Sequence, residues 1–211
     1  ASDFLRDKIF PFFVRVTKKE LSLSQPIFHK PIKIKMNQIE EKVHKAIITN
    51  IKYFSKKDFL HNIEFISKLR KARIMRLRQI CSHVSNLSDV SELDITEQED
   101  VTNSSLIRDL ILNYQNAEVP AKYEKLEQMI LELIDKNKKV LVWSNFILTL
   151  NFIKKKLQEK KIVVEQIIGK TSSERREEIS DEFNNQNSKL QVIIANPKAC
   201  SESISLHKDC Q

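Results

Sequence analysis

The apolar positions change their period along the chain. Upstream of residue 85 they recur mostly at helical spacing. Downstream of residue 120, short continuous apolar runs alternate with amphipathic stretches. In DFLRDKIFPFFVRV (3–16) the apolar residues are Phe4, Leu5, Ile9, Phe12 and Phe13, and Pro11 breaks any helix there. IKIKM (32–36) alternates apolar and basic residues, which predicts a half-buried strand. Asn37 is placed to cap a helix over 38–54 that carries Ile39, Val43, Ala46, Ile47 and Ile51 on one face. Residues 57–84 predict a longer helix. Its apolar stripe is Ile66, Leu69, Ile74, Leu77, Cys81 and Val84, and Arg70, Lys71, Arg73, Arg76 and Arg78 fill the remaining surface.

The segment 85–105 is acidic, rich in Ser, Thr and Asn, and without a strong apolar period, so it reads as a linker or surface loop. The next region changes character. Residues 120–137 predict a helix opened by a proline, with Leu126, Met129, Ile130, Leu133 and Ile134 inward. KVLVW (139–143) is an apolar strand. A helix over 147–160, a strand over 162–168, a polar helix over 172–185 and a strand over 190–195 follow. Strands this apolar have no wet face, so the α-β-α-β-α-β order predicts a parallel sheet covered on both sides. Right-handed crossovers make it a RecA-like or Rossmann-like layer. Ligands of such layers sit at the C-terminal strand ends. That draws attention to Ser144 and Asn145, to 169–172 and to 196–205.

Composition narrows the chemistry. The chain has 211 residues and a single glycine, Gly169. A Walker A loop and a dinucleotide fingerprint both need several glycines, so neither is present. The three cysteines are too scattered for a disulfide framework and fit a reducing cytoplasm. Cys200, His207 and Cys210 lack a fourth ligand, so no metal site is expected. No apolar run has transmembrane length, and neither a basic n-region nor a cleavage site marks a secretory signal. The net charge of +8 is uneven: residues 1–85 carry 19 Lys/Arg against 7 Asp/Glu, while 86–104 carry six acids and no base. Such asymmetry suits a phosphate-facing element, although a solvated basic face accounts for it equally well.

At the strand ends, KVLVWSNF, GKTSSERREEISDEFN and VIIANPKACSESISLH resemble three consecutive motifs of the C-terminal RecA-like lobe of superfamily 2 helicases, in particular of Swi/Snf-type DNA translocases. IFPFFVRVTKKEL resembles the segment joining the two lobes in that group, and MRLRQICSH resembles its LRQ-apolar-Cys-x-His helix. The resemblance covers roughly residues 5–206. It implies an interlobe connector with a strand at 1–36, a helical basic region at 37–84, the acidic linker or loop at 85–105 and a RecA-like lobe at 106–211. The fold class is then α/β.

Site residues follow from the same resemblance. Ser144 and Asn145 match a loop that contacts the nucleic-acid backbone. Gly169, Lys170 and Thr171 match a turn that approaches phosphate, with Ser172 beside it. Arg176, Phe183 and Asn184 match the chiefly structural helix that follows. Asn196 to Ser205 match the fifth motif, which touches nucleic acid (Asn196, Lys198) and the ATP cleft (Glu202, Ser203, Ser205). Arg70, Lys71 and Arg73 would add phosphate contacts from the basic helix.

The fifth motif departs from the family. Cys200, Ser201 and Ser203 stand where that motif is glycine-rich. The sequence stops before an arginine-bearing sixth motif and has no Walker lobe, so it is expected to be a piece of a larger enzyme. In that enzyme ATP and Mg2+ would lie between two lobes, and this piece alone would neither bind ATP tightly nor hydrolyse it. The expected partners are nucleic acid, DNA before RNA, and a first RecA-like lobe of the same protein. A cytoplasmic location is expected, with no membrane partner.

Simpler readings stand beside these. Ser144–Asn145 also suits an ordinary helix N-cap. Gly169 suits a turn with positive φ, and Thr171 or Ser172 suits the cap of the next helix. His83 reads as packed or capping, and Trp143 as core. The alternative function is a non-catalytic RecA-like binding or regulatory module. An unrelated nucleotide-binding α/β enzyme is a weaker option, against which the lack of a glycine-rich loop argues.

Overall fold

The computed structural model describes residues 27–57, 74–87, 109–114 and 118–200. The chain divides into two units, Ala1–Lys33 and Ile34–Gln211. In the first, residues 27–33 have no regular structure and are exposed.

In the second unit, α1 spans Gln38–Lys57. Asn37 caps it as expected. Asn37 Oδ1 accepts from the Glu40 amide at 2.8 Å, and Glu40 Oε2 accepts from the Asn37 amide at 3.0 Å, a reciprocal capping box. The helical residues 74–80 (α2) lead through a turn to a 3-10 helix at Val84–Leu87, and 109–114 are helical (α3). Val43, Ile80, Val84, Leu87, Ile111 and Tyr114 share one core.

The sheet is built as the alternation predicts. α4 (Ala121–Asp135), β1 (Val140–Trp143), α5 (Ile147–Glu159), β2 (Val164–Ile167), α6 (Ser173–Asn184) and β3 (Val192–Ala195) follow in order. The strands lie β1-β3-β2, and both pairings are parallel. β3 is central and wholly buried. Its alternate residues serve two cores. Val192 and Ile194 pack with Tyr123, Ile130, Leu150, Ile153 and Leu157, from α4 and α5. Ile193 and Ala195 pack with Ile179 and Phe183, from α6. Truncating Ile193 or Ile194 to Ala would cost about 2–5 kcal/mol.

With one glycine in the chain, the helix-to-strand turns are made by other residues. Asn137 (φ 53°) and Lys161 (φ 62°) take the left-handed position. The Lys138 amide donates to Leu133 O at 2.9 Å, and the Ile162 amide to Leu157 O at 3.1 Å, so both turns are Schellman motifs. Lys139 covers the far end of α6. Its ammonium donates to Phe183 O and to Asn185 O, where the helix dipole is negative.

Several expectations are corrected. IKIKM forms no strand, and Ile32 and Ile34 are exposed. Alternation makes a strand only where a neighbouring edge accepts its hydrogen bonds and a core accepts its apolar face. The helix expected over 57–84 ends at Ile80, with Ile80 buried and Ile74 exposed. Residues 58–73, with Ile66 and Leu69, lie outside the described residues. Ser85, Asn86 and Leu87, which open the segment read as a loop, are buried, and 88–105 lie outside the described residues. In α4, Tyr123 is inward and Leu133 is outward. Trp143 is not core. It is 47% exposed, because β1 is an edge strand among the described residues and Trp143 ends it. No helix among the described residues is long and apolar enough to cross a membrane.

Candidate nucleic-acid interface

The register brings three strand ends together. Trp143 and Ile167 both pair with Ala195, so the chain leaves all three strands at one edge of the sheet. Main-chain bonds continue past the strands. The Ser144 amide donates to Ala195 O at 3.0 Å, and the Asn196 amide donates to Ile167 O at 2.9 Å.

Each loop is then set by a short polar side chain. Ser144 Oγ accepts from the Phe146 amide at 3.2 Å. Ser144 is therefore not the N-cap of α5. That position falls to Phe146, whose side chain makes no capping bond. Thr171 Oγ1 accepts from the Ile168 amide at 3.1 Å, while the Thr171 amide donates to Ile168 O at 2.9 Å. These bonds close the turn without a left-handed glycine, so the expected positive φ at Gly169 is absent. A Cβ on Gly169 would meet nothing within 4 Å. Ser172 is the true cap of α6, and its Oγ accepts from the Arg175 amide at 3.3 Å. Glu174, in the first turn, is held below the usual carboxylate range by hydrogen bonds from its own backbone amide and from Ser172.

Asn196 organises this edge. It is buried. Its Oδ1 accepts from the Lys198 amide at 3.0 Å, and its Nδ2 donates to Asn145 O at 3.2 Å. Both ends of its carboxamide are occupied inside the protein. Asn145, Lys170, Ser172 and Lys198 are exposed, and Ser144 and Thr171 are half-buried. A hydroxyl that accepts a backbone N–H keeps its own proton as a donor, and the bond fixes its place. The edge thus presents two fixed hydroxyls and two lysines, a set suited to phosphate oxygens.

Arg70, Lys71, Arg73, Glu202, Ser203 and Ser205 lie outside the described residues. Cys200, on the flank of the fifth motif, has its thiol pKa raised by burial, partly offset by Arg176. No group of three His, Cys, Asp or Glu among the described residues is placed to hold a metal ion.

Sequence reasoning missed a second polar assembly that joins the helical region to the sheet. The Thr149 hydroxyl lies 3.0 Å from Ser82 Oγ and accepts from Asn86 Nδ2 at 3.0 Å. His83 is buried beside it. Its Nδ1 accepts from the Ser85 amide at 3.1 Å, and its ring meets Phe152 edge-on at 4.6 Å and Tyr114 at 5.4 Å. Burial pushes its pKa down to about 4. Glu40 makes a third joint. Its Oε1 accepts from Tyr114 Oη at 3.0 Å and from the Ala121 amide, at the start of α4, at 3.2 Å. Burial is the main cause that raises the Tyr114 pKa. The sequence signals were faint: the CSH tripeptide for the Ser82 and His83 contacts, and Asn-x-x-Glu after the connector for the Glu40 joint.

Comparison with known proteins agrees with this architecture. Residues 121–208 match the helicase conserved C-terminal domain. A CHD3-type chromatin-remodeling factor, CHR7, from Arabidopsis thaliana is 29% identical over 208 residues, which is 97% of this chain and 14% of that protein. The chain therefore spans about one-seventh of that relative's length. Among solved structures, the Sulfolobus solfataricus SWI2/SNF2 ATPase core in complex with dsDNA superposes with a TM-score of 0.59 at 19% identity, over 93% of this chain and 37% of that one. The C-terminal part of the Fun30 ATPase domain gives 0.54 at 20% identity, over 82% and 69%. Residues 121–208 are thus similar to the helicase conserved C-terminal domain, and the layer they build has the RecA-like fold of the Sulfolobus solfataricus SWI2/SNF2 ATPase C-terminal domain.

Proposed function

We propose that this lobe is the second half of an ATP-dependent DNA translocase motor. Its sheet edge grips the phosphate backbone of a duplex through Ser144, Asn145, Lys170, Thr171, Ser172 and Lys198. The observation that carries the reading is the register Trp143–Ala195–Ile167, which sets two hydroxyl-bearing loops and the Asn196 turn side by side. A solved relative of the same fold holds dsDNA. Contacts of this kind track a strand without reading bases, as a translocase requires. ATP and Mg2+ belong in a cleft completed by a first lobe, and the resemblance assigns Glu202, Ser203 and Ser205 a role there. Arg70, Lys71 and Arg73 extend the grip along the duplex.

Duplex binding by this chain, titrated from low to moderate salt, tests the reading. The expected result is weak, sequence-independent affinity that falls steeply with salt. Replacing Lys170 and Lys198 with Ala should lower the slope by about one unit each. No binding at low salt, or a slope unmoved by the double change, sinks it.

A non-catalytic binding module is the second reading, favoured by the exposure of Trp143, Ile147 and Leu148 beside the same edge. Under that reading these three residues, and not Lys170 and Lys198, govern association with a protein partner.

A further inference from the structure

We propose that Thr149 is a positioning residue for the Asn145 loop. It fixes the first turn of α5, and with it Ser144 to Phe146, against the turn that ends the basic helical segment. The inference rests on the reading that this loop touches nucleic acid.

The start of α5 is weakly determined by its own residues. Phe146 at the N-cap has no capping side chain, and its amide turns back to Ser144 Oγ. Thr149 is an unexpected residue for this place. It is a modest helix former, and its hydroxyl is buried, which costs stability unless bonded. Both of its hydrogen bonds reach outside the helix, one shared with Ser82 Oγ and one accepted from Asn86 Nδ2, each at 3.0 Å. Asn86 is itself held by donating to Gln79 O at 3.3 Å. One turn further along α5, Phe152 packs against His83. Two successive turns of one helix face are thus seated on residues 79–87.

Asn145 consequently lies between two anchors. On the sheet side, Asn196 Nδ2 holds its carbonyl. On the helical side, Thr149 holds the turn into which it runs. The 79–87 turn continues directly from α2, whose Arg78 is exposed. The Thr149 joint therefore sets the spacing between the loop that would contact one stretch of backbone and the basic segment beside it.

The test compares Thr149→Val, which keeps the shape and removes the hydroxyl, with Thr149→Ser, which keeps the hydroxyl. In the chain without DNA, Thr149→Val should speed amide exchange at Phe146 by about tenfold, and Thr149→Ser should restore it. On duplex DNA, Thr149→Val should weaken binding by about three- to tenfold, and the loss should disappear in an Asn145→Ala background. Unchanged exchange at Phe146, or losses that add in the double variant, overturns the proposal. If the parent chain binds no duplex, the function proposed above fails, and the exchange measurement alone decides the role of Thr149. Should Thr149→Val not fold, Ser82→Ala leaves Thr149 in place and should shift Phe146 exchange in the same direction by about threefold.

Discussion

Asn196 Nδ2 donates to the main-chain carbonyl of Asn145 at 3.2 Å, across two loops that are 51 residues apart in sequence. This bond ties the exit of the central strand to the exit of an edge strand. It turns two separate loops into one edge.

Asn196→Ala leaves Asn145 O and the Lys198 amide without their partners. It should lower stability by about 1–3 kcal/mol in urea unfolding. Asn196→Asp keeps an acceptor for Lys198 and loses the donor to Asn145, so it should weaken duplex binding more than the Lys198 contact explains. Equal affinity for the two variants and the parent would show that the clamp serves the fold alone.

The hydroxyls at the edge should contribute modestly. Ser144→Ala and Thr171→Val should each weaken duplex binding by no more than about tenfold, since a neutral hydrogen bond contributes about 0.5–1.5 kcal/mol. Gly169→Ala probes approach rather than bonding. A Cβ there meets no protein atom within 4 Å, so thermal unfolding should be unchanged. A loss of duplex affinity in that variant would mark where a backbone comes close. Full affinity in all three variants contradicts the interface.

His83 should make stability depend on pH. Its folded pKa is depressed to about 4 by burial, while the unfolded chain protonates it near 6.5. Between these values the unfolded state binds more protons. The contribution is complete above about pH 6.5 and is lost as pH falls toward 4, by about 3 kcal/mol. The groups facing the ring are Ser85, Tyr114 and Phe152, none of which is charged in this range. Urea midpoints at pH 7.5 and 4.5 should therefore converge in His83→Gln relative to the parent. An identical pH effect in both proteins rules out His83 as its source.

Lys161 holds a left-handed φ of 62° without being glycine. Lys161→Gly should raise stability by about 1 kcal/mol, read as a higher unfolding midpoint. Asn137→Gly should gain less, because Asn tolerates that region. A lower midpoint for Lys161→Gly would mean that the side chain makes an interaction that outweighs the strain.

The alternation of apolar strands with amphipathic helices from residue 120 was legible in the sequence, because both patterns record local burial: continuous runs such as VIIA are buried on two faces, and the helices that carry Ile130, Leu150 and Ile179 each bury one face. The loops of the candidate edge were legible for the same reason, since parallel topology alone sends every strand end to one side. Caps at Asn37 and Ser172 were readable because a short side chain satisfies amides within its own turn. What the sequence could not contain was pairing across distance. IKIKM has the alternation of a strand, yet a strand exists only where an edge is offered, and none is taken up at 32–36. Trp143 has the chemistry of a core residue, but its place at the end of an edge strand leaves it half in solvent. No strong signal in the sequence singles out Glu40, Asn86 or Thr149, and Asn196 reads there as a nucleic-acid contact rather than a clamp. Only the tertiary structure buries each against partners far along the chain, where a hydrogen bond has to replace the water it has lost.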